Sequence, residues 1–409
     1  MFYLLLSMGI LCGVGAVNPV VIVPGLGGSV LEATLTNKPE FRDCKTNSDW
    51  YTIWVSESQM LFRFDCWESV FSLQISNDSL SNATGVDTRP YDYGGVSGVE
   101  YSTSGSNGIP MPYMKDLVEM LEGLGLQRDV SVRAATYDFR AAGDVNQTFQ
   151  QYARLKVLIE NTYEINDDKA VHLISHSLGG SYVSAFLNMY VSETWKATYI
   201  ASYVSVSGAF LGTPIAMQGL ISGPKYDFVP QVLPALLVPS SRTMPCMLWM
   251  MPILSEVFPP EQVLISTPSV DYTAQWGDIG AFLESVNATV LLSLYEDMKG
   301  LISAGSKPPG VPLFCGYAID TKTALHLEYK QDDLSTALRA KVVEETMGDG
   351  TVTLDSLRHC ASEEWKADLV RHEEYLYGGS LAAHTSIVSF PPLLEDIAEW
   401  ITNDRWDSQ

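Results

Sequence analysis

One short segment of the chain places a hydroxyl side chain in surroundings that could make it a nucleophile. Ser177 lies in the run SHSLGG of residues 175–180, which follows a buried apolar strand and opens a helical stretch. A sharp strand-to-helix turn between small residues exposes a serine hydroxyl for attack. Ser175 stands where a glycine is usual, and a small residue is tolerated there. The alternative is an ordinary helix opened by glycines, but the preceding strand favours the nucleophilic turn.

A serine hydroxyl needs a base within hydrogen-bond reach and an acid that orients the base. In this strand–turn–helix setting the partners follow the serine in the order Asp or Glu, then His. His359 is next to a cysteine and His372 stands among charged residues, whereas His384 lies in a loop after two glycines. We therefore predict His384 as the base. Asp349, in the glycine-flanked run GDGTV, is the predicted acid, with Asp355 as the alternative.

Acyl transfer through a serine also requires donors for the oxyanion that develops on the substrate. The backbone N–H of Leu178, directly after the nucleophile, is one predicted donor. The second is predicted in the loop GLG after the first strand, where we favour the N–H of Leu26. The alternative for this loop is a tight glycine turn without a catalytic role.

The elements that position these residues alternate between short β-branched runs and helical stretches. Predicted strands cover residues 20–23, 130–136, 170–174, 203–206 and 311–314, and predicted helices cover 114–124, 146–163 and 179–190. In the middle helix Asn146 is the expected N-cap, and the expected common side consists of Phe149, Ala153, Val157 and Ile159. Such alternation predicts an α/β fold with a parallel sheet covered on both faces.

Two segments break this rhythm. Residues 41–89 are rich in aromatic side chains, and residues 218–300 are rich in proline and methionine. We interpret both as insertions over the edge of the sheet where ligands bind. The alternative is that they form small satellite cores, as aromatic clusters usually do.

Composition excludes some classes of function. The 409 residues include 25 Lys and Arg against 48 Asp and Glu, which gives a formal net charge of −23. This charge repels phosphate backbones, so we expect no nucleic-acid partner. The 46% of hydrophobic residues is enough for a sizeable core. The chain has no C-x-x-C spacing of the kind that holds zinc, and we expect no metal or cofactor.

The start of the chain predicts a signal peptide over residues 1–16, with cleavage after Ala16. An uncleaved anchor is the alternative. In an oxidising compartment the expected disulfides are Cys44–Cys66 and Cys315–Cys360, which leaves Cys246 free. Sequons for N-glycosylation occur at Asn77, Asn82, Asn146 and Asn287.

Taken together, these motifs resemble the lecithin:cholesterol acyltransferase family, which includes lysosomal phospholipase A2 and plant phospholipid–sterol acyltransferases. The resemblance covers nearly the whole chain after residue 16. Besides the Ser177 turn, it is carried by PVVIVPG (19–25), LEA (31–33), DCW (65–67), ATYDFR (135–140), TP (267–268), YT (272–273), PGVP (309–312), GDGTV (348–352) and HT (384–385).

The resemblance implies a division of the chain. Residues 17–40, 90–217 and 301–409 would form an α/β-hydrolase core with a mostly parallel sheet. Residues 41–89 would be a membrane-binding insertion, and 218–300 a cap or lid insertion. The resemblance also implies the triad and the oxyanion donors that chain order already suggested.

The implied activity is that of a serine-dependent phospholipid acylhydrolase and O-acyltransferase. An acyl-enzyme on Ser177 would pass its chain to water or to a lipid alcohol such as a sterol. Expected partners are a phospholipid membrane or a lipoprotein-like surface, contacted through aromatic side chains of Trp50, Tyr51, Trp54 and Phe62. We expect a monomer that is secreted or located in a lysosomal or vacuolar lumen.

Two other functions remain open from the sequence. A non-catalytic lipid-binding or adhesion protein could retain the same fold, because fold does not fix function. A serine peptidase could use the same triad. The complete triad disfavours the first, and the aromatic insertion suits a bilayer better than a peptide groove.

Overall fold

A computed structural model of the chain describes residues 17–102, 111–224, 234–252, 258–380 and 383–403. The predicted signal peptide lies outside these residues, as do parts of the predicted cap, residues 225–233 and 253–257. The described strands are β1 (Val20–Val23), β2 (Leu31–Leu35), β3 (Ser48–Trp54), β4 (Leu73–Ser76), β5 (Ser79–Asn82), β6 (Val86–Pro90), β7 (Val132–Ala134), β8 (Val171–His176), β9 (Ile200–Val206), β10 (Val263–Ser266), β11 (Asp271–Thr273), β12 (Leu313–Ala318), β13 (Thr321–Glu328), β14 (Lys341–Gly348) and β15 (Leu369–Tyr375).

Helices separate most of the strands. The described α-helices are α1 (Glu57–Phe62), α2 (Phe64–Phe71), α3 (Ser97–Glu100), α4 (Lys115–Gly123), α5 (Val145–Ile165), α6 (Leu178–Met189), α7 (Glu193–Tyr199), α8 (Pro214–Ser222), α9 (Val238–Ser241), α10 (Pro245–Trp249), α11 (Trp276–Ser285), α12 (Thr289–Leu292), α13 (Tyr295–Gly305), α14 (Leu354–Leu357), α15 (Ala383–Ser386) and α16 (Pro391–Thr402). Short 3-10 helices cover Phe139–Ala141, Pro234–Leu237, Leu334–Thr336, Arg358–Ala361 and Ile387–Ser389. Among these described helices, none combines the length and apolar character needed to cross a bilayer.

The central sheet has six strands in the order β15-β12-β9-β8-β1-β7. All five pairings in it are parallel. Strands β1, β8 and β12 are buried along their whole length, as expected for inner strands of a parallel sheet that is covered on both faces. The predicted parallel sheet is confirmed.

Alternate residues of β1 show how the two faces are covered. Val20 and Ile22 belong to a hydrophobic cluster that also contains side chains of α4 and α16, whereas Val21 and Val23 belong to a second cluster with side chains of α5, α6 and α13. Successive side chains of a strand point to opposite faces, so the sheet is the middle layer of three. The structure is an α/β-hydrolase core, and the predicted fold class is confirmed.

Smaller sheets join segments that are distant in the chain. β3 and β6 both pair antiparallel with β2, so strands of the predicted membrane insertion continue a strand that precedes it. A four-stranded sheet in the order β11-β10-β13-β14 joins residues 263–273 to residues 321–348. The predicted boundary at residue 40 therefore falls between β2 and β3, which pair in one sheet. The predicted boundary at residue 300 falls between β10 and β13, which pair in another.

The prediction for helix α5 was wrong in two details. Asp144, not Asn146, is the N-cap, and its carboxylate accepts the N–H of Gln147. Val157 is 63% exposed. The buried face instead contains the residues Thr148, Tyr152, Leu155, Leu158, Ile159 and Thr162. The aromatic ring of Tyr152 sets this face because it packs edge-on against Tyr182 of α6.

Candidate active site

Ser177 stands at the turn between β8 and α6. Its φ of 56° and ψ of −125° are unusual for a residue other than glycine and hold the side chain at the carboxyl edge of the sheet. A Cβ at Gly179 would come within 2.7 Å of the Val23 carbonyl oxygen, and one at Gly180 within 2.9 Å of the Gly208 Cα. Glycines at these positions therefore let the helix lie tightly against its neighbours.

The three predicted catalytic side chains meet in one hydrogen-bonded chain. The distance from Ser177 Oγ to His384 Nε2 is 2.8 Å, and that from His384 Nδ1 to Asp349 Oδ2 is 2.6 Å. An ionised carboxylate only accepts, so Nδ1 carries the proton and Nε2 is free to accept the serine hydroxyl. All three residues are buried. This arrangement can activate the hydroxyl and stabilise an imidazolium.

Asp349 is held by its own loop after β14. Its Oδ1 accepts the backbone N–H groups of Thr351 and Val352 at 3.1 and 2.8 Å. Its backbone carbonyl also accepts the N–H of His384 at 3.1 Å. One carboxyl oxygen therefore remains aimed at the imidazole. The alternative acid, Asp355, is an exposed residue of α14.

The other late histidines lie elsewhere. His359 is buried, and its Nε2 bonds the carbonyl of Ser306 at 2.9 Å. His372 is exposed on β15. The late histidine that forms a hydrogen bond with Ser177 is His384.

Leu26 and Leu178, the predicted oxyanion donors, lie close to Ser177. Leu178 is the first residue of α6, and Leu26 lines the cavity above the serine. A Cβ at Gly25 would lie 2.9 Å from the Ser177 Cβ, so only glycine lets the loop pass this close. Their role as donors stays a prediction, supported by this proximity.

A cavity of about 290 Å³ opens over the triad. Besides Ser177 and His384, its wall includes Ile215 and Ala216 of α8 together with Met247 of α10. Sequence reasoning did not single out these wall residues individually. The available signal was the richness of this region in methionine, since flexible thioether side chains line adaptable apolar surfaces.

The prediction that Trp54 contacts lipid was wrong. Trp54 is 1% exposed, stacks on Phe71, and its ring N–H donates to the Gly27 carbonyl at 2.7 Å. The cause lies in the pairing of β3 with β2, which turns this end of the strand toward the core. The side chain thus supports the loop that carries Leu26.

The remaining predicted lipid contacts differ in exposure. Phe62 is 80% exposed, and Trp50 is 40% exposed with the Arg89 guanidinium 4.2 Å from its ring centroid. Tyr51 is half-buried, and burial raises its pKa to about 12. Leu61 and Phe41, which sequence reasoning did not select, are also exposed. Phe62 therefore projects furthest into solvent of this group.

Both expected disulfides are present, Cys44–Cys66 and Cys315–Cys360. Cys246 is a buried free thiol, and burial raises its pKa. The sequon residues Asn77, Asn146 and Asn287 are exposed, whereas Asn82 is half-buried and accepts a hydrogen bond from Arg140.

Comparison with known proteins gives a consistent result. The family model described as "Lecithin:cholesterol acyltransferase" matches residues 50–299. A lysosomal phospholipase A and acyltransferase of Bos taurus is 30% identical, over 85% of this chain and 83% of its own. A lecithin-cholesterol acyltransferase-like 1 of Arabidopsis thaliana is 32% identical, over 83% and 82%. A phosphatidylcholine-sterol acyltransferase of Rattus norvegicus is 31% identical, over 85% and 77%.

Among solved structures, a chain of the Tle4–Tli4 complex superposes with a TM-score of 0.51 at 13% identity, covering 95% of this chain and 99% of that one. This likeness concerns the fold alone.

Proposed function

The chain belongs to the lecithin:cholesterol acyltransferase family, and on this basis we propose that it is a serine-dependent phospholipid acylhydrolase and O-acyltransferase. The observation that carries the proposal is the chain of hydrogen bonds from Asp349 through His384 to Ser177. It ends beneath a cavity with apolar walls that suits a fatty acyl chain.

We assign each residue a role that is consistent with this geometry. His384 Nε2 takes the proton of the Ser177 hydroxyl as the oxygen attacks the ester carbonyl, and Asp349 stabilises the imidazolium that forms. The oxyanion of the tetrahedral intermediate faces the N–H groups of Leu26 and Leu178. His384 then returns the proton to the leaving lysolipid oxygen. An acyl-enzyme remains on Ser177, and water or a lipid alcohol such as a sterol accepts the chain in the second half-reaction.

The surface that meets the lipid is proposed to be the segment from residue 41 to residue 62, which carries the exposed side chains Phe41, Trp50, Leu61 and Phe62. Aromatic and aliphatic side chains at such a surface enter the headgroup region of a bilayer. The Cys44–Cys66 disulfide lies within or beside this segment and restrains it.

We also propose that the protein works in a lysosomal or vacuolar lumen or outside the cell. Two disulfides support this proposal, because such bonds persist in oxidising compartments. The exposed sequons agree with it, since N-glycosylation follows entry into the secretory pathway.

The test uses Ser177→Ala and liposomes that contain phosphatidylcholine with and without sterol, with products resolved by mass. Wild-type protein is expected to release lysolipid together with fatty acid or sterol ester. The variant is expected to lose about 10⁶-fold in turnover, while liposome binding and the unfolding temperature stay close to wild type.

Two outcomes would contradict the proposal. If the variant kept more than about a thousandth of wild-type turnover, the covalent mechanism would be wrong, given the usual loss on removing the nucleophile. If wild-type protein bound liposomes but released no product, a non-catalytic lipid-binding protein would be the better interpretation.

A further inference from the structure

Two buried side chains in the wall of the same cavity, Tyr113 and His176, join the loop of Leu26 to the backbone of the catalytic histidine. The Gly25 N–H donates to Tyr113 Oη at 3.1 Å, and Tyr113 Oη lies 2.7 Å from His176 Nδ1. The other ring nitrogen, His176 Nε2, lies 2.8 Å from the carbonyl oxygen of His384. These hydrogen bonds form one continuous path from one side of the catalytic serine to the other.

Each donor and acceptor in this path is determined by chemistry. A carbonyl oxygen only accepts, so His176 Nε2 carries the proton and Nδ1 is the acceptor. The Tyr113 hydroxyl therefore donates to Nδ1, and its oxygen accepts the Gly25 N–H. No other assignment of the protons satisfies all three hydrogen bonds with a neutral imidazole.

The Tyr113 ring also determines how close the loop comes to the serine. A Cβ at Gly28 would lie 2.5 Å from Tyr113 Cε1, and a Cβ at Gly25 would lie 3.2 Å from His176 Nδ1. The loop is thus packed directly on Tyr113 and His176. Both side chains are buried and both contribute to the wall of the cavity over Ser177.

Hydrogen bonds hold both backbone polar groups of His384. Its N–H donates to the Asp349 carbonyl, and its carbonyl accepts from His176 Nε2. Its ring Nδ1 is bound by the Asp349 carboxylate. His384 Nε2 must stay within about 2.6–3.2 Å of the serine oxygen to accept its proton. The hydrogen bond to the His384 carbonyl limits the ways in which the short helix α15 can rotate away from that position.

We propose that Tyr113 and His176 are positioning residues that hold the Leu26 loop and His384 at a fixed separation across Ser177. This inference rests on the proposed function, because it assigns the two residues a part in the same reaction. Neither residue exchanges a proton with substrate. Their effect is to keep an oxyanion donor and the base in place at the same time.

The surroundings keep this path intact in acid. Burial lowers the pKa of His176 to about 3, and a charge on neighbouring His384 acts in the same direction, while the His384 carbonyl and Asp349 oppose it. A protonated His176 would present a donor at Nδ1 and break the bond from Tyr113. At the pH of a lysosome the ring is still neutral, so the path persists there.

The test compares Tyr113→Phe and His176→Phe with two matched variants. Tyr152→Phe removes a buried tyrosine hydroxyl that donates to a backbone carbonyl of α6, and His172→Phe removes a buried histidine from the other end of β8. Hydrolysis of p-nitrophenyl butyrate gives kcat and KM without a membrane, and a fluorophosphonate probe reports the reactivity of Ser177.

The Tyr113 and His176 variants are expected to lower kcat by about 10- to 100-fold, the loss typical of a small misplacement of catalytic groups. Tyr113 and His176 also line the cavity, so KM can shift too, but the loss in kcat should exceed the change in KM, because the substitutions keep a ring or a side chain of similar size in the wall. His176→Gln keeps a side-chain N–H that can reach the His384 carbonyl and should recover part of the kcat. The matched variants should keep the wild-type kcat even where they lower the unfolding temperature.

The possible failures are distinguishable. If wild-type protein neither hydrolyses the ester nor reacts with the probe, the proposed function is wrong. If wild-type protein is active and the Tyr113 and His176 variants retain its kcat, only the positioning role is wrong. Should these variants not fold, ¹⁵N NMR of the histidines in wild-type protein decides: a proton on His176 Nδ1 instead of Nε2 would overturn the inference.

Discussion

A buried histidine far from the catalytic serine makes a sharp prediction about stability in acid. His172, on β8, is 3% exposed, and its Nδ1 lies 2.8 Å from the Ser202 hydroxyl. The Trp400 ring N–H donates to the same hydroxyl oxygen at 2.9 Å. Burial lowers the pKa of His172 to about 4.

The direction in which pH changes the stability follows from the pKa of His172 in the folded and unfolded states. In the unfolded chain a histidine has a pKa of about 6.5, so below that pH the unfolded state takes up a proton that the folded state does not. The free energy of unfolding therefore falls as the pH falls from about 6.5 to about 4. With these two values, linkage gives a loss of about 2 kcal/mol between pH 7 and pH 5 from this one residue.

The perturbation is His172→Gln, and the assay is urea unfolding of both proteins at pH 7 and pH 5. The variant is expected to be less stable at pH 7, because packing and a hydrogen bond change. On moving to pH 5, however, it should lose about 2 kcal/mol less than wild type. The free energy lost through altered packing is the same at both pH values, so it cancels when the change between pH 7 and pH 5 is compared.

Ser202→Ala serves as the control. It removes the hydrogen-bond partner but leaves the imidazole buried, so the pH dependence of stability should stay close to that of wild type. Equal losses for wild type and His172→Gln between pH 7 and pH 5 would refute the reasoning.

Three further predictions concern the two disulfides and the net charge. Replacing Cys315 and Cys360 by alanine opens a loop of 45 residues and should lower the free energy of unfolding by up to about 4 kcal/mol, measured in urea; an unchanged midpoint would contradict this. Replacing Cys44 and Cys66 should weaken liposome sedimentation more than it lowers the unfolding temperature, and the reverse order of effects would count against the proposed lipid surface. Binding to anionic vesicles should strengthen from pH 7 to pH 5, because the charge of −23 becomes smaller, and it should change little on zwitterionic vesicles; equal binding to anionic vesicles at both pH values would overturn the argument.

The layout of the site could be predicted because it depends on chain order and on local turn chemistry. The strand before Ser177 and the glycines after it indicate the nucleophilic turn directly. Parallel strands bring their carboxyl ends to one edge of the sheet, so segments late in the chain were the right place to look for a base. The run around Asp349 was visible as a loop in the sequence alone, whereas His384, also predicted in a loop, lies in the short helix α15.

What could not be predicted depends on contacts between distant segments. Trp54 was expected at a lipid surface, and its burial follows from packing against Phe71 and Phe139, of which Phe139 is far away in the sequence. The pairing of β10 with β13 joins segments about 60 residues apart and has no local signature. The bonds of His176 likewise depend on Tyr113, 63 positions earlier.

The positions of Ser177, Asp349 and His384 along the chain also determine the order in which the ribosome makes them. Ser177 precedes His384 by 207 residues, and Asp349 precedes it by only 35. At about 5–20 residues per second, ribosomes need about 10–40 s to add the residues between serine and base. Under the proposed mechanism, the serine hydroxyl lacks its base throughout that interval and is a poor nucleophile. The growing chain is then expected to be inert toward esters around it until the segment with His384 has been made and folded.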